Sequence, residues 1–157
     1  DATSWGRGAL EGARAQAPVA RGVSGVAPRP AITFDTGALI ALERRRHGIR
    51  KVYAGAIAAG FVISVPTVVV TEWWRAGHRE KERAAVLRSL RVEPLYEHIA
   101  RLAGTALGSV RGAGAVDAIV MASAALRGDT VYTSDVEDLE ALRSGVPGFA
   151  SVQVVPV

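Results

Sequence analysis

Runs of β-branched and aromatic residues only one strand long, AITF at 31–34, FVIS at 61–64, TVYT at 130–133 and VQVV at 152–155, are separated by segments of helical length. Strands this short and this continuously apolar are buried on both faces, and connections of that length cross over a sheet instead of turning back beside it. The pattern predicts an α/β fold of three α/β/α layers around a central, mainly parallel five-stranded sheet, with RVE at 91–93 as the remaining strand. Helices are expected at 36–46, 48–59, 66–76, 79–90, 94–107, 115–127 and 135–143, Pro66 sitting in the first turn of the third, and a Gly-rich loop at 108–114. A parallel sheet takes its ligand beyond the C-terminal ends of its strands, so the residues just after each run carry the functional information.

Composition narrows the class. The chain has 157 residues, 49% hydrophobic and 22% charged, enough for one domain with a sizeable core and a solvated surface. It lacks cysteine, which excludes disulfides and thiolate zinc sites and makes the reducing cytoplasm the expected compartment. Residues 1–30, rich in Gly, Ala, Arg and Pro and without apolar periodicity, read as a flexible or appended segment ahead of a domain at 31–157. That segment holds four arginines against Asp1 and Glu11, leaving 15 basic and 13 acidic residues from the overall 19 and 15. The stretch from Val52 to Thr71 has 20 residues and no charge, long enough to span a bilayer, but its glycines and Pro66 divide it into helix, strand and helix, so no membrane insertion is expected.

Four carboxylates stand where apolar runs end or begin: Asp35 after AITF, Glu72 in VVVTEWW, Asp117 in AVDAIVMASAAL and Asp135 after TVYTS. An ionised carboxylate beside so much apolar surface is costly unless it is paired or holds a metal. Each has a structural alternative. Asp35 reads equally as a helix N-cap, Ser134 and Glu137 as a capping box around Asp135, and Glu72 as an ion-pair partner of Arg75 or Arg79 on the same helix face. Asp117 is the exception, being the only charged residue between Arg111 and Arg127 and having no local partner. Four such acids together point to a shared cation.

The ordered set FDTGAL with Asp35 and Thr36, PTVVVTEWWR with Glu72, AVDAIVMASAAL with Asp117 and VYTSDVEDL with Thr133 and Asp135 resembles a PIN domain, specifically the VapC ribonuclease toxins of bacterial toxin–antitoxin systems, over residues 31–157. That resemblance implies a PIN-like fold, a Mg²⁺ or Mn²⁺ site and an RNA substrate. It implies Asp35 and Asp117 as principal metal ligands, with Glu72 and Asp135 completing a catalytic acidic pocket, and it implies a homodimer and a cognate VapB-like antitoxin. Asp138, one turn after Asp135, is a secondary candidate for which surface solvation is the simpler account.

Hard divalent ions prefer carboxylate oxygens, and Mg²⁺ keeps several waters while bridging to phosphate. Hydrolysis by a metal-activated water leaves a 5′-phosphate and a 3′-hydroxyl and needs no 2′-hydroxyl, so the choice of RNA rests on the resemblance. Arg75, Arg111 and Thr133 are candidates for substrate binding, with Thr36 and Ser134 in supporting roles. Arg44, Arg45, Arg46, Arg50 and Lys51 cluster near the end of the first helix, where the helix dipole alone accounts for cations as well as a phosphate ligand does. Of Trp73 and Trp74, on different helix faces, one is expected in the core and the other free to stack on a base or meet a partner. A haloacid-dehalogenase-like phosphatase also begins with Asp at a strand end but needs a second Asp where this chain has Gly37. A non-catalytic PIN-like module that binds RNA or a partner would tolerate loss of the acids, and all four are present. His47, His78 and His98 show no metal spacing, and no phosphate-cradling Gly-Lys loop occurs.

Overall fold

The computed structural model describes residues 31–75 and 79–157, so the expected N-terminal segment 1–30 and His78 lie outside the described residues. Five strands, β1 (Ala31–Phe34), β2 (Val62–Pro66), β3 (Arg91–Glu93), β4 (Thr130–Thr133) and β5 (Gln153–Pro156), form one sheet in the order β3-β2-β1-β4-β5. Every pairing is parallel, with Ile32 opposite Ile63 and Phe34 opposite Tyr132. Consecutive residues Ile32, Thr33 and Phe34 are all buried, as are Ile63, Ser64 and Val65. Side chains alternate faces along a strand, so burial without alternation means that helices cover both faces.

The helices are α1 (Thr36–Glu43), α2 (His47–Ala58), α3 (Thr67–Trp73), α4 (Glu80–Arg88), α5 (Glu97–Ser109), α6 (Ala115–Arg127) and α7 (Val136–Gly145). The uncharged stretch 52–71 is divided among α2, β2 and α3, and no helix among the described residues is long and apolar enough to cross a membrane. α6 is the central helix: it packs on α5, α7 and α3 and lies across β1, β2 and β4, burying Ala118, Val120, Met121, Ala122 and Ala124. Its small side chains let it sit close to the sheet, and Gly128 ends it in the left-handed conformation at φ 73°, where a side chain would be strained.

Several boundaries differ from expectation for local reasons. α1 stops at Glu43, short of residue 46, because Arg45 takes a left-handed φ of 56° and turns the chain into α2. Pro66 closes β2 instead of opening α3 and serves as its N-cap, since its fixed φ of −60° suits a strand end and ψ of 142° keeps it extended. α5 begins at Glu97, after Pro94, and a short 3₁₀ turn at Pro147–Phe149 precedes β5.

One feature of the core is charged. Arg127, at the end of α6, reaches Asp129 (Nε to Oδ2, 2.8 Å), Thr33 (Nη2 to Oγ1, 2.8 Å) and Glu93, and the Thr33 hydroxyl donates to Asp129 Oδ2 at 2.7 Å. Ser123 also donates to Glu93. This network ties the C-terminal end of α6 to β1, β3 and the entry to β4.

Candidate active site

The sheet order sets the site. β1 and β4 are neighbours at its centre, so the residues that follow them, Asp35 and Asp135, emerge side by side at the C-terminal edge. The Asp35 N–H completes this junction by donating to the Tyr132 carbonyl at 3.3 Å. α3 leaves the neighbouring β2 at the same edge and brings Glu72, and α6 begins there with Asp117 in its first turn.

Asp35 is buried and caps α1, its Oδ1 accepting from the Ala38 N–H at 2.7 Å. The capping role foreseen as an alternative is therefore real and coexists with a site position. Burial pushes its carboxyl above the ordinary value, opposed by hydrogen bonds from Thr133 and Ala38 and reinforced by the charge of Asp135. Asp117 is more strongly perturbed: burial first, then the charges of Asp135, Asp138, Asp35 and Glu72, push its carboxyl up to about 6. Carboxylates from five separate points of the chain thus act on one another. Among the described residues, none of the five forms an ion pair with a basic side chain, all such pairs lying elsewhere.

Glu72 is exposed and held by the Thr36 hydroxyl, which donates to its Oε2 at 2.6 Å. The ion pair with Arg75 or Arg79 weighed from the sequence does not form. Arg75 gives its Nε to the Glu72 carbonyl at 3.1 Å, and Arg79 lies 3.9 Å from Glu43. Thr133 is buried at the end of β4, where its Oγ1 accepts from the Asp135 N–H at 2.7 Å and fixes the turn into α7. Asp135 is the N-cap residue of α7 without a side-chain capping bond, so the Ser134–Glu137 capping box is absent and the Asp135 carboxylate is left free. Ser134 instead packs on Gly37: a Cβ at residue 37 would lie 2.0 Å from Ser134 Oγ and 2.9 Å from its backbone nitrogen. No side chain fits there, which removes the position a haloacid-dehalogenase-like enzyme would need.

Asp138, read from the sequence as a solvated surface residue, bears on Asp117 second only to Asp135 among the charges. Its place one turn along α7 was the available signal. Arg111 is exposed in the turn before α6, and Trp73 is the buried tryptophan and Trp74 the exposed one. Among the described residues no three acidic or histidine side chains stand close enough to enclose a metal ion. The repulsion gathered on Asp117 is the kind a divalent cation relieves.

A family model for the PIN domain matches residues 32–143. Among curated proteins none matches the chain significantly. Solved structures similar in fold include the following three. VapBC2 from Rickettsia felis bound to a DNA fragment from their promoter superposes with a TM-score of 0.65 at 12% identity, over 81% of this chain and 98% of that one. FitAB bound to an IR36 DNA fragment gives 0.60 at 18% identity, over 80% and 94%. A toxin–antitoxin complex from Klebsiella pneumoniae gives 0.54 at 22% identity, over 79% and 95%.

Proposed function

The chain belongs to the PIN domain family, and from that premise we propose that it is a Mg²⁺- or Mn²⁺-dependent endoribonuclease, the VapC-type toxin of a toxin–antitoxin pair. The observation that carries the reading is the state of Asp117, whose carboxyl is held near pH 6 by burial and by the charges of Asp135, Asp138, Asp35 and Glu72 with no basic partner among the described residues. An uncompensated cluster of this kind, built at the C-terminal edge of a parallel sheet, is a site for a cation and its ligand.

Asp35 and Asp117 are the residues that would hold the ion directly, Asp35 buried at the end of β1 and Asp117 half-buried in the first turn of α6. When bound, such an ion supplies a lowered pKa for the attacking water and charge for the leaving oxygen. The chain's own groups do the rest. Glu72, aimed by Thr36, is the proton acceptor, with Asp135, whose N–H donates to Thr133, as the other carboxylate suited to that role. Arg75 and Arg111, both exposed at this edge, hold phosphates. One relative in fold is a toxin–antitoxin complex by name, which supports a cognate antitoxin for this chain, and a homodimer in the cytoplasm belongs to the same reading.

The test is cleavage of RNA by the purified chain, freed of any antitoxin, in Mg²⁺ or Mn²⁺ and in EDTA. Cleavage is expected only with the metal and not from Asp117→Asn of unchanged circular dichroism. Equal cleavage in EDTA, or a fully active Asp117→Asn, would falsify the assignment.

A further inference from the structure

Beside the carboxylates, between α1, α3 and α4, lies a cleft of ≈ 560 Å³ that contains none of them. An adjoining cleft of ≈ 360 Å³ shares its wall at Glu43, Arg44, Arg79 and Arg83 and ends at Glu72 and Arg75. Together the two clefts form a passage that reaches the site at Glu72, the one site carboxylate that lines it. Its walls carry Arg44, Arg45, Arg75, Arg79 and Arg83 against Glu43, Glu72 and Glu82.

The arginines are not equivalent. Arg83 is largely buried and spent: its Nε and Nη2 both reach Glu43, at 3.3 and 3.1 Å, and its guanidinium lies 5.7 Å from the Trp73 ring centre. The Trp73 indole N–H donates to the same carboxylate at 2.9 Å, so Glu43 is fully engaged as part of the floor. Arg79 donates from Nη1 to the Glu43 backbone carbonyl at 3.3 Å and lies 3.9 Å from its carboxylate. Arg44, Arg45 and Arg75 are exposed and, among the described residues, have no ion-pair partner. Arg75 is tethered through Nε to the Glu72 carbonyl, which leaves its two terminal nitrogens for a ligand. Arg45 holds the left-handed φ of 56°, a conformation that favours glycine or asparagine, so an arginine at the α1–α2 turn bears a conformational cost.

We propose that this passage is the track along which a single-stranded RNA leaves the carboxylate pocket, Arg44, Arg45 and Arg75 each taking a backbone phosphate on one side of the scissile bond. The proposal rests on the nuclease reading. Guanidinium forks match phosphate oxygens, and their continuity with Glu72 sets them in line with the acids, which would otherwise repel the strand.

The test is binding of a short 5′-fluorescein single-stranded RNA to the full chain in EDTA, so that hydrolysis does not enter. Arg44→Gln, Arg45→Gln and Arg75→Gln are each expected to weaken binding roughly three- to tenfold and to lower the slope of log affinity against log salt by about 0.7. Arg101→Gln, at an exposed Arg–Glu pair on α5, serves as the control and is expected to bind as the unaltered chain does. The track is overturned if all three variants bind RNA normally, if Arg101→Gln loses as much, or if the three lose affinity for poly-L-glutamate while RNA binding is unchanged, which would make the cleft a seat for an acidic polypeptide. Arginine-dependent binding without metal-dependent cleavage supports the track and removes the nuclease reading.

Discussion

The Thr36 hydroxyl donates to the Glu72 carboxylate across 2.6 Å, joining the first residue of α1 to the last turn of α3. This bond aims the only candidate proton acceptor in the site that comes from the β2 side of the sheet. Thr36→Val preserves shape and removes the donor. A lost hydrogen bond of about 1 kcal/mol should lower kcat/KM about fivefold with little change in thermal midpoint. Undiminished kcat/KM would show that Glu72 does not depend on Thr36.

Asp117 makes the metal-free protein pH-sensitive. Its carboxyl titrates at about 6 in the folded chain against an ordinary 3.8, so between those values the folded state holds the proton more tightly. The stability this gives is fully present below 3.8 and is lost as the pH rises through 6. Asp117→Asn, which cannot ionise, should therefore stabilise the metal-free protein at pH 7.5 by about 1–2 kcal/mol, after discounting for the solvent that still reaches the group. The gain should vanish near pH 4 in urea titrations. A variant equally stable to the parent at both pH values contradicts the repulsion.

Added Mg²⁺ should reverse the same strain. At a hundredfold excess over Kd it should stabilise the parent protein by about 2.7 kcal/mol, read as a rise in thermal midpoint. Asp35→Asn keeps an N-cap acceptor for the Ala38 N–H and should fold, yet lose the metal-dependent rise. A rise that persists in this variant places the ion elsewhere.

Gly37→Ala should cost about 1–3 kcal/mol, because the new methyl meets both the side chain and the backbone of Ser134. Since that contact sets the β1 and β4 exits side by side, activity should fall with stability. An unchanged midpoint would mean the two turns part easily.

Arg127→Met leaves Asp129 and Glu93 without their cation inside the fold, and should lower the unfolding free energy by about 3–5 kcal/mol. Arg101→Met, at an exposed pair on α5, should change it by less than about 1 kcal/mol. Similar midpoints for the two in urea would show that the network carries no net weight.

The sheet, and with it the placing of Asp35 and Asp135 at its edge, was legible because both follow from hydrophobic pattern: β1, β4 and α6 begin and end where their apolar runs do. What escaped was set by tertiary contact. Nothing local marks Arg45 for a left-handed turn, or Pro66 for a strand end facing Glu93. The S-x-x-E spacing at Ser134 promised a capping box, but contact with Gly37 and the Thr133–Asp135 bond draw that turn into another shape. Asp138 looked like an ordinary helix-surface acid because its influence runs to α6 through space. The Arg127, Glu93 and Asp129 network went unread since each residue, taken alone, is a common charge at the end of an element.

Because β1 lies beside β4, with Phe34 opposite Tyr132, Asp35 meets Asp135 only once every strand of the sheet but β5 has been made. A nascent chain that stops short of β4 carries three strands and six helices but only three of the five mutually repelling carboxylates, Asp35, Glu72 and Asp117. The full set comes together in one step, when the fourth strand slots in beside the first.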